Sequence, residues 1–161
     1  MLKTLGTIAI ILFMGLPLVI LIVGQLGLLS SKRPQDLGLK DGLLKPPVEK
    51  SWNVVSSHAS RQAHTDYHVI DPIKYSGDGK AALARLAGIV RSMDGARIIE
   101  TQPTYLYAEF ETKWLKFVDD VEFVLDEPAG VIQMRSASRL GRKDFGVNRA
   151  RLEAVRKKFG N

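Results

Sequence analysis

The fold class this 161-residue sequence predicts is α+β: a mostly antiparallel sheet with two helices packed on one face, preceded by one transmembrane helix. Three observations predict it. Leu5 to Leu29 is uncharged, three stretches between Thr104 and Ser138 alternate apolar and polar residues with period two, and segments on either side repeat apolar residues at three and four. The chain accordingly divides into a transmembrane anchor over 1–29, an extended linker and N-terminal arm over 30–66, and an α+β domain over 67–161.

The anchor comes first. Sixteen of the 25 residues from Leu5 to Leu29 are Leu, Ile, Val or Phe. As a helix the run is about 37 Å long, more than the roughly 30 Å hydrocarbon core of a bilayer, and its side chains favour insertion by several kcal/mol. Pro17 bends such a helix without excluding it. The alternatives are a cleaved signal peptide, for which the run is too long and Leu28-Leu29-Ser30-Ser31 a poor cleavage sequence, and a buried globular helix. Charge leaves orientation tied, because the amino terminus and Lys3 nearly balance Lys32 and Arg33.

Ser31 to Lys50 holds Pro34, Gly38, Gly42, Pro46 and Pro47 without periodicity and reads as an extended segment lying along the domain. Tyr67 to Pro72 alternates weakly and is expected to be a first strand ending at Asp71-Pro72. Leu83, Leu86, Val90 and Met93 predict an amphipathic helix from about Lys80 to Met93, started at Ser76-Gly77-Asp78-Gly79 and stopped at Asp94-Gly95. Arg97–Thr101, Thr104–Thr112, Phe117–Leu125 and Val131–Ser138 form an antiparallel meander. Its buried side takes Leu106, Ala108, Phe110, Val121, Phe123, Leu125, Ile132 and Met134. The solvent side takes Tyr105, Tyr107, Glu109, Glu111, Asp120, Glu122, Gln133 and Arg135. Leu152, Val155 and Phe159 share a face of a final helix over Val147–Phe159.

Net charge is +6, but Arg135 to Asn161 alone carries nine basic and two acidic residues, and Ser30 to Met134 thirteen against fifteen. The basicity belongs to the C-terminal segment. Arg149, Arg156 and Lys157 lack interleaved aromatics, which argues against nucleic acid and leaves docking on anionic lipid as the electrostatic reading. No cysteine is present, excluding disulfides, thiolate metal sites and a thiol nucleophile.

Asp119 is out of pattern, since it lies in phase with Val121, Phe123 and Leu125 and should point inward. A buried carboxylate needs a cation, a set of backbone N–H groups or a raised pKa, and Arg135, Arg139 and Arg149 are the expected partners. Asp120 and Glu122 share the other face with Glu109 and Glu111. They are expected to pair with neighbours such as Lys113 and Arg135 rather than hold a divalent cation. His64 and His68, four apart, and His58 lack a helical metal-binding context. Arg135-Ser136-Ala137-Ser138-Arg139, followed by Gly141, is dense in donors and could cup an anion, but the favoured reading is that both arginines answer the acidic strand beside them. Nothing places a histidine base near these serines.

Several of these segments together resemble a known family, the uncharacterised domain-of-unknown-function family number 1499. The matching motifs are Phe117-Val-Asp-Asp-Val-Glu-Phe123, Arg135-Ser-Ala-Ser-Arg139 with Gly141, and Asp144-Phe-Gly-Val-Asn-Arg149 continuing to Arg151, Glu153 and Arg156. Arg33-Pro-Gln-Asp-Leu-Gly38, Asn53-Val-Val-Ser-Ser57 and Tyr105-Leu-Tyr-Ala-Glu-Phe110 match more weakly. The resemblance implies no activity. Its members are often exported, membrane-attached or, in plants, plastid proteins, so with the anchor of Leu5 to Leu29 it implies a single-pass protein of the cytoplasmic membrane with its domain on the periplasmic or extracytoplasmic side. Many members carry a cysteine in a Pro-Asn-Cys-Val-Ser-Ser pattern; Val54 here removes any thiol-based role.

The expected function is a membrane-tethered binding or assembly domain, favoured over an enzyme and without a cofactor. Its partners are the bilayer, through Leu5 to Leu29, and a membrane protein or small anionic ligand. The candidate structural or ligand-binding network is Asp119, Asp120, Glu122, Arg135, Ser136, Ser138, Arg139, Asp144, Asn148 and Arg149. The alternative is a hydrolase-like or metal-dependent enzyme using Asp119, Asp120 or Glu122, which requires Asp119 in a solvent-reached cleft.

Overall fold

The computed structural model describes residues 2–48, 50–62 and 64–160; in the first helix it describes the side chains of residue 4 and of residues 13 onward. That helix, α1, runs from Leu2 to Gln25 with Pro17 inside it. Phe13, Met14, Leu16, Leu18, Val19, Ile20 and Ile22 are all exposed, so the rest of the chain does not cover its described apolar surface. Among the described residues no helix is long and apolar enough to cross a membrane. The expected anchor falls partly on residues 5–12, whose side chains lie outside the described residues.

The arm that follows is ordered against the domain. Leu39–Lys40 (β1) and Leu43–Leu44 (β2) form a two-stranded hairpin. Val54–Ser56 (β3) joins the main sheet, upstream of the Tyr67 start expected for the domain. Tyr67 to Pro72 is not a strand, contrary to the weak alternation there. Asp66–His68 is a 3-10 turn in which the Thr65 N–H donates to His68 Nδ1 at 2.9 Å, a local bond that displaces ladder pairing. The strand there, Ile73–Lys74 (β4), starts only after Pro72.

The remaining elements follow the predicted periodicities. They are Gly79–Arg91 (α2), Ala96–Thr101 (β5), Tyr105–Glu111 (β6), Val118–Asp126 (β7), Val131–Ser138 (β8) and Val147–Phe159 (α3). Asp78 starts α2 by accepting the Ala81 N–H at 2.7 Å. Gly95 starts β5 at positive φ, where a Cβ would stand 2.4 Å from the Glu111 carbonyl oxygen, so only glycine makes that turn.

The sheet order is β3-β8-β7-β6-β5, antiparallel throughout, with β4 also paired to β8. The fold is therefore α+β with a mostly antiparallel sheet. One face carries Leu106, Ala108, Val121, Phe123, Ile132 and Met134, which α2 and α3 cover with Leu83, Leu86, Val90, Leu152, Val155 and Phe159. At about 1.5–3 kcal/mol for each large apolar side chain removed from water, this layer is the main source of stability. The opposite face was expected to meet solvent; Glu111, at the end of β6, does, but most of the face does not. Glu109, Asp120, Glu122, Gln133 and Arg135 are all buried, beneath the arm.

Candidate functional site

The register of β6, β7 and β8 places the covered charges in rows. Glu109 lies opposite Asp120, and Glu122 opposite both Tyr107 and Arg135. Two carboxylates side by side repel unless cations separate them. Arg139, just past β8, does so. Its Nε donates to both Asp120 oxygens at 3.0 Å, and its Nη2 reaches Asp120 at 2.6 Å, Glu109 at 2.5 Å and the Tyr107 hydroxyl at 2.9 Å. Asp120 also accepts from Tyr107 at 2.5 Å. Glu109 is further held by Arg97 at 2.5 Å and by Arg33 of the arm at 2.6 Å.

Burial alone would raise the Glu109 pKa, but hydrogen bonds from Arg139, Arg97 and Arg33 outweigh it and hold the group at about 2. Burial, then the neighbouring carboxylates, pushes Tyr107 and Tyr105 above the ordinary phenol range. Glu122 accepts from Arg135 at 3.0 Å, Tyr105 at 3.0 Å and the Gly38 N–H at 2.6 Å, and Arg135 Nε donates to the Lys45 carbonyl at 3.0 Å. The arm is thus fastened by charge-assisted hydrogen bonds, the buried ones worth about 1.5–3 kcal/mol each and that of the half-exposed Arg33 less.

Asp119 points to the helix side, as its phase predicted, but its partner is none of the three expected arginines. Arg151 of α3 donates to it at 2.6 Å. The expected three fail for distinct reasons. Arg135 points to the opposite face, Arg139 is taken by Asp120 and Glu109, and Arg149 donates to the Tyr67 and Val69 carbonyls at 2.7 Å each. Arg151 also donates to Ser136 Oγ at 2.9 Å and Asn148 Oδ1 at 2.7 Å, and its guanidinium lies 4.7 Å from the centre of the Phe110 ring. Asn148 completes the knot by donating to the Asn53 carbonyl at 3.0 Å and to Ser138 Oγ at 2.9 Å.

Asp144 starts α3, accepting the Gly146 and Asn148 N–H groups at 3.0 and 2.9 Å together with the Tyr67 hydroxyl. Although burial opposes it, these bonds hold the Asp144 carboxyl below its usual range. The basic face of α3 is largely spent internally, because Arg149 binds those carbonyls and Arg156 pairs with Glu153.

Where the arm meets β3 and the end of β8 it leaves a cleft of about 610 Å³. Its floor is Val54 and Ala137. Its walls bring in Lys45, Lys50, Arg135, Arg139 and Arg142 with a single carboxylate, Asp120. Lys45 pairs with Asp36, but among the described residues the side chains of Lys50 and Arg142 have no ion pair or hydrogen bond. Val54, at the position of the cysteine in the resembling pattern, closes the bottom with an inert side chain.

The predicted residues thus separate into two groups on opposite faces. Asp120, Glu122, Arg135 and Arg139 gather under the arm, and Arg135, Ser138 and Arg139 reach the cleft. Asp119, Ser136, Asn148, Asp144 and Arg149 tie α3 to the sheet and to the 66–69 turn. Sequence reading missed Arg151, Arg33, Arg97, Lys45, Lys50 and Arg142. Arg151 and Arg33 did carry a signal, since both stand in motifs that resemble the family, and Arg151 also lies one turn past Asn148 on the face that meets the sheet. The pairing of Glu111 is with Lys116 at 2.7 Å, and Lys113 stands over Trp114 instead of pairing with the acidic strand. His58 Nδ1 accepts the Leu44 N–H, and His68 contacts the Ser51 carbonyl and the Thr65 N–H, so both rings serve the backbone. Burial lowers the His58 pKa, favouring the neutral ring that this acceptor role requires. Among the described residues no three His, Asp or Glu side chains gather as a metal site.

Fold and site together define a class: an α+β domain whose N-terminal arm is sealed over a charged sheet face and leaves a basic cleft at its edge. The chain belongs to the family described as protein of unknown function (DUF1499), whose profile matches residues 46–159. That span includes β3 through α3 and both walls of the cleft except Pro34 and Lys45. No curated protein and no solved structure matches the chain.

Proposed function

We propose that this chain is a single-pass, membrane-tethered domain that binds a small anion, carried on the extracytoplasmic side of a cytoplasmic membrane. The observation that carries the binding reading is the cleft, whose walls hold five cationic side chains and one carboxylate. Arg135 and Arg139 are fixed in place by buried carboxylates, so they lose little freedom on meeting a ligand, and Lys50 and Arg142 have no side-chain partner among the described residues. A phosphate- or carboxylate-bearing molecule is the chemistry such planar and point cations recognise.

The tether reading is supported by the uncharged run of Leu5 to Leu29 and by the uncovered apolar side chains from Phe13 to Ile22. Binding is favoured over hydrolysis because Asp120 and Glu122 are engaged by arginines and tyrosines, and Asp119 lies under α3 away from the cleft. Inorganic phosphate and citrate are the probes, titrated against the full chain in detergent by calorimetry. Replacing Lys50 and Arg142 together by alanine is expected to weaken binding by about tenfold or more, equivalent to about 1.4 kcal/mol. Unchanged affinity, or no binding by the native chain, would reject the cleft. Reporter fusions at the C-terminus test the side of the membrane independently.

A further inference from the structure

The end of the sheet where β7 begins and β8 finishes carries apolar side chains that the fold does not use. On the β6–β7 loop Trp114 is 65% exposed. After β8, Leu140 and Val147 are exposed, and Phe145 is 95% exposed with its backbone at a φ of 55°. A bulky side chain in the left-handed region is strained, and here the strain serves no packing within the domain. The two loops are neighbours: the Arg139 N–H donates to the Val118 carbonyl, and Lys113 and Val147 line one groove.

The first helix arrives at the same place. The Gln25 amide donates to the Trp114 carbonyl at 2.6 Å, and Gly24 lies so close to Leu115 that a Cβ would come within 2.8 Å of its Cα and carbonyl oxygen. A helix from Leu5 to Gly24 is about 30 Å long, one hydrocarbon core. Wherever it spans a bilayer, Gln25 and the Trp114 loop bonded to it lie at one interface.

We propose that Trp114, Leu140, Phe145 and Val147, with Lys113, form a rim that seats the domain on the same anionic bilayer its helix enters. This rests on the tether reading. An indole ring favours the headgroup boundary, a phenyl ring gains by leaving water beside it, and the Lys113 ammonium, 5.4 Å from the Trp114 ring, is placed for lipid phosphates. A second copy or a protein partner would not explain why the apolar rim coincides with the end of an uncovered apolar helix.

The test uses the full chain with Trp52→Phe, which leaves Trp114 as the one indole, in phosphatidylcholine–phosphatidylglycerol vesicles. The expected result is flotation with the vesicles, Trp114 emission shifted to shorter wavelength, and quenching by brominated acyl chains. Adding Phe145→Ser and Val147→Ser should abolish the shift and quenching while the thermal midpoint and flotation persist. Flotation with water-like, unquenched Trp114 emission would overturn the docking and leave the tether standing; failure to float would overturn both. A shift that grows with protein density and is insensitive to bromolipid would assign the rim to a second copy and also overturn the docking.

Discussion

The two faces of the sheet are both largely closed to solvent, yet by opposite physics. Beneath α2 and α3 the closure is hydrophobic, with one ion pair, Asp119–Arg151, that has no substitute among the described residues. Beneath the arm it is electrostatic. Glu109, Asp120 and Glu122 are shared among Arg33, Arg97, Arg135 and Arg139, with two tyrosine hydroxyls filling remaining acceptors. A lone buried pair is fragile because losing one member strands a charge, whereas a network redistributes its donors. The helix side therefore fixes the fold, and the arm side can hold cations at the edge of a cleft.

Mutations that break this contrast fall in a definite order. Arg151→Ala strands Asp119 and should cost the most, about 4 kcal/mol in urea unfolding, with Asp119→Asn in the same chain restoring part of it. Arg139→Ala should cost about 3 kcal/mol, less because Tyr107 stays on Asp120 and two arginines stay on Glu109. If Arg139→Ala instead proves the more damaging by a clear margin, the redundancy assigned to the arm side is wrong.

Acid should expose the network before the core. The Glu109 pKa is depressed in the fold from its ordinary 4.5 to about 2, so the stability it contributes is complete above pH 4.5 and is lost as pH falls through about 2. Thermal midpoints measured across that window should fall less steeply for Glu109→Gln than for the native chain; equal slopes would remove Glu109 from the account. Arg33→Ala should cost about 1 kcal/mol and raise proteolysis of the arm more than it lowers global stability. Smallest of all, Arg97→Ala should cost under about 0.5 kcal/mol, since that side chain is 72% exposed and its bond to Glu109 competes with water.

Legibility in the sequence tracked periodicity. α2, α3 and the four strands of the meander were readable because each repeats over at least two periods, and the inward phase of Asp119 followed from the same count. Tyr67 to Pro72 alternates too briefly to outweigh a local His68 cap, so a turn over Asp66–His68 stands where the alternation predicts a strand. The cleft was half legible: Arg135, Ser138 and Arg139 stood out as a run, but Lys45, Lys50 and Arg142 are scattered, and only the arm's return brings them together.

The largest error concerned the acidic face. An apolar–polar alternation states which residues avoid oil and says nothing of whether a distant segment supplies counter-charges, and the partner here, Arg33, is 76 residues from Glu109. Sequence pattern alone fixes α2, α3, the four meander strands, their order and the greasy side of the sheet, because those follow from contacts between residues two to four apart. Which arginine meets which carboxylate, and which face the arm covers, are set by the folded chain in three dimensions. Those depend on distances through space that a one-dimensional pattern does not contain.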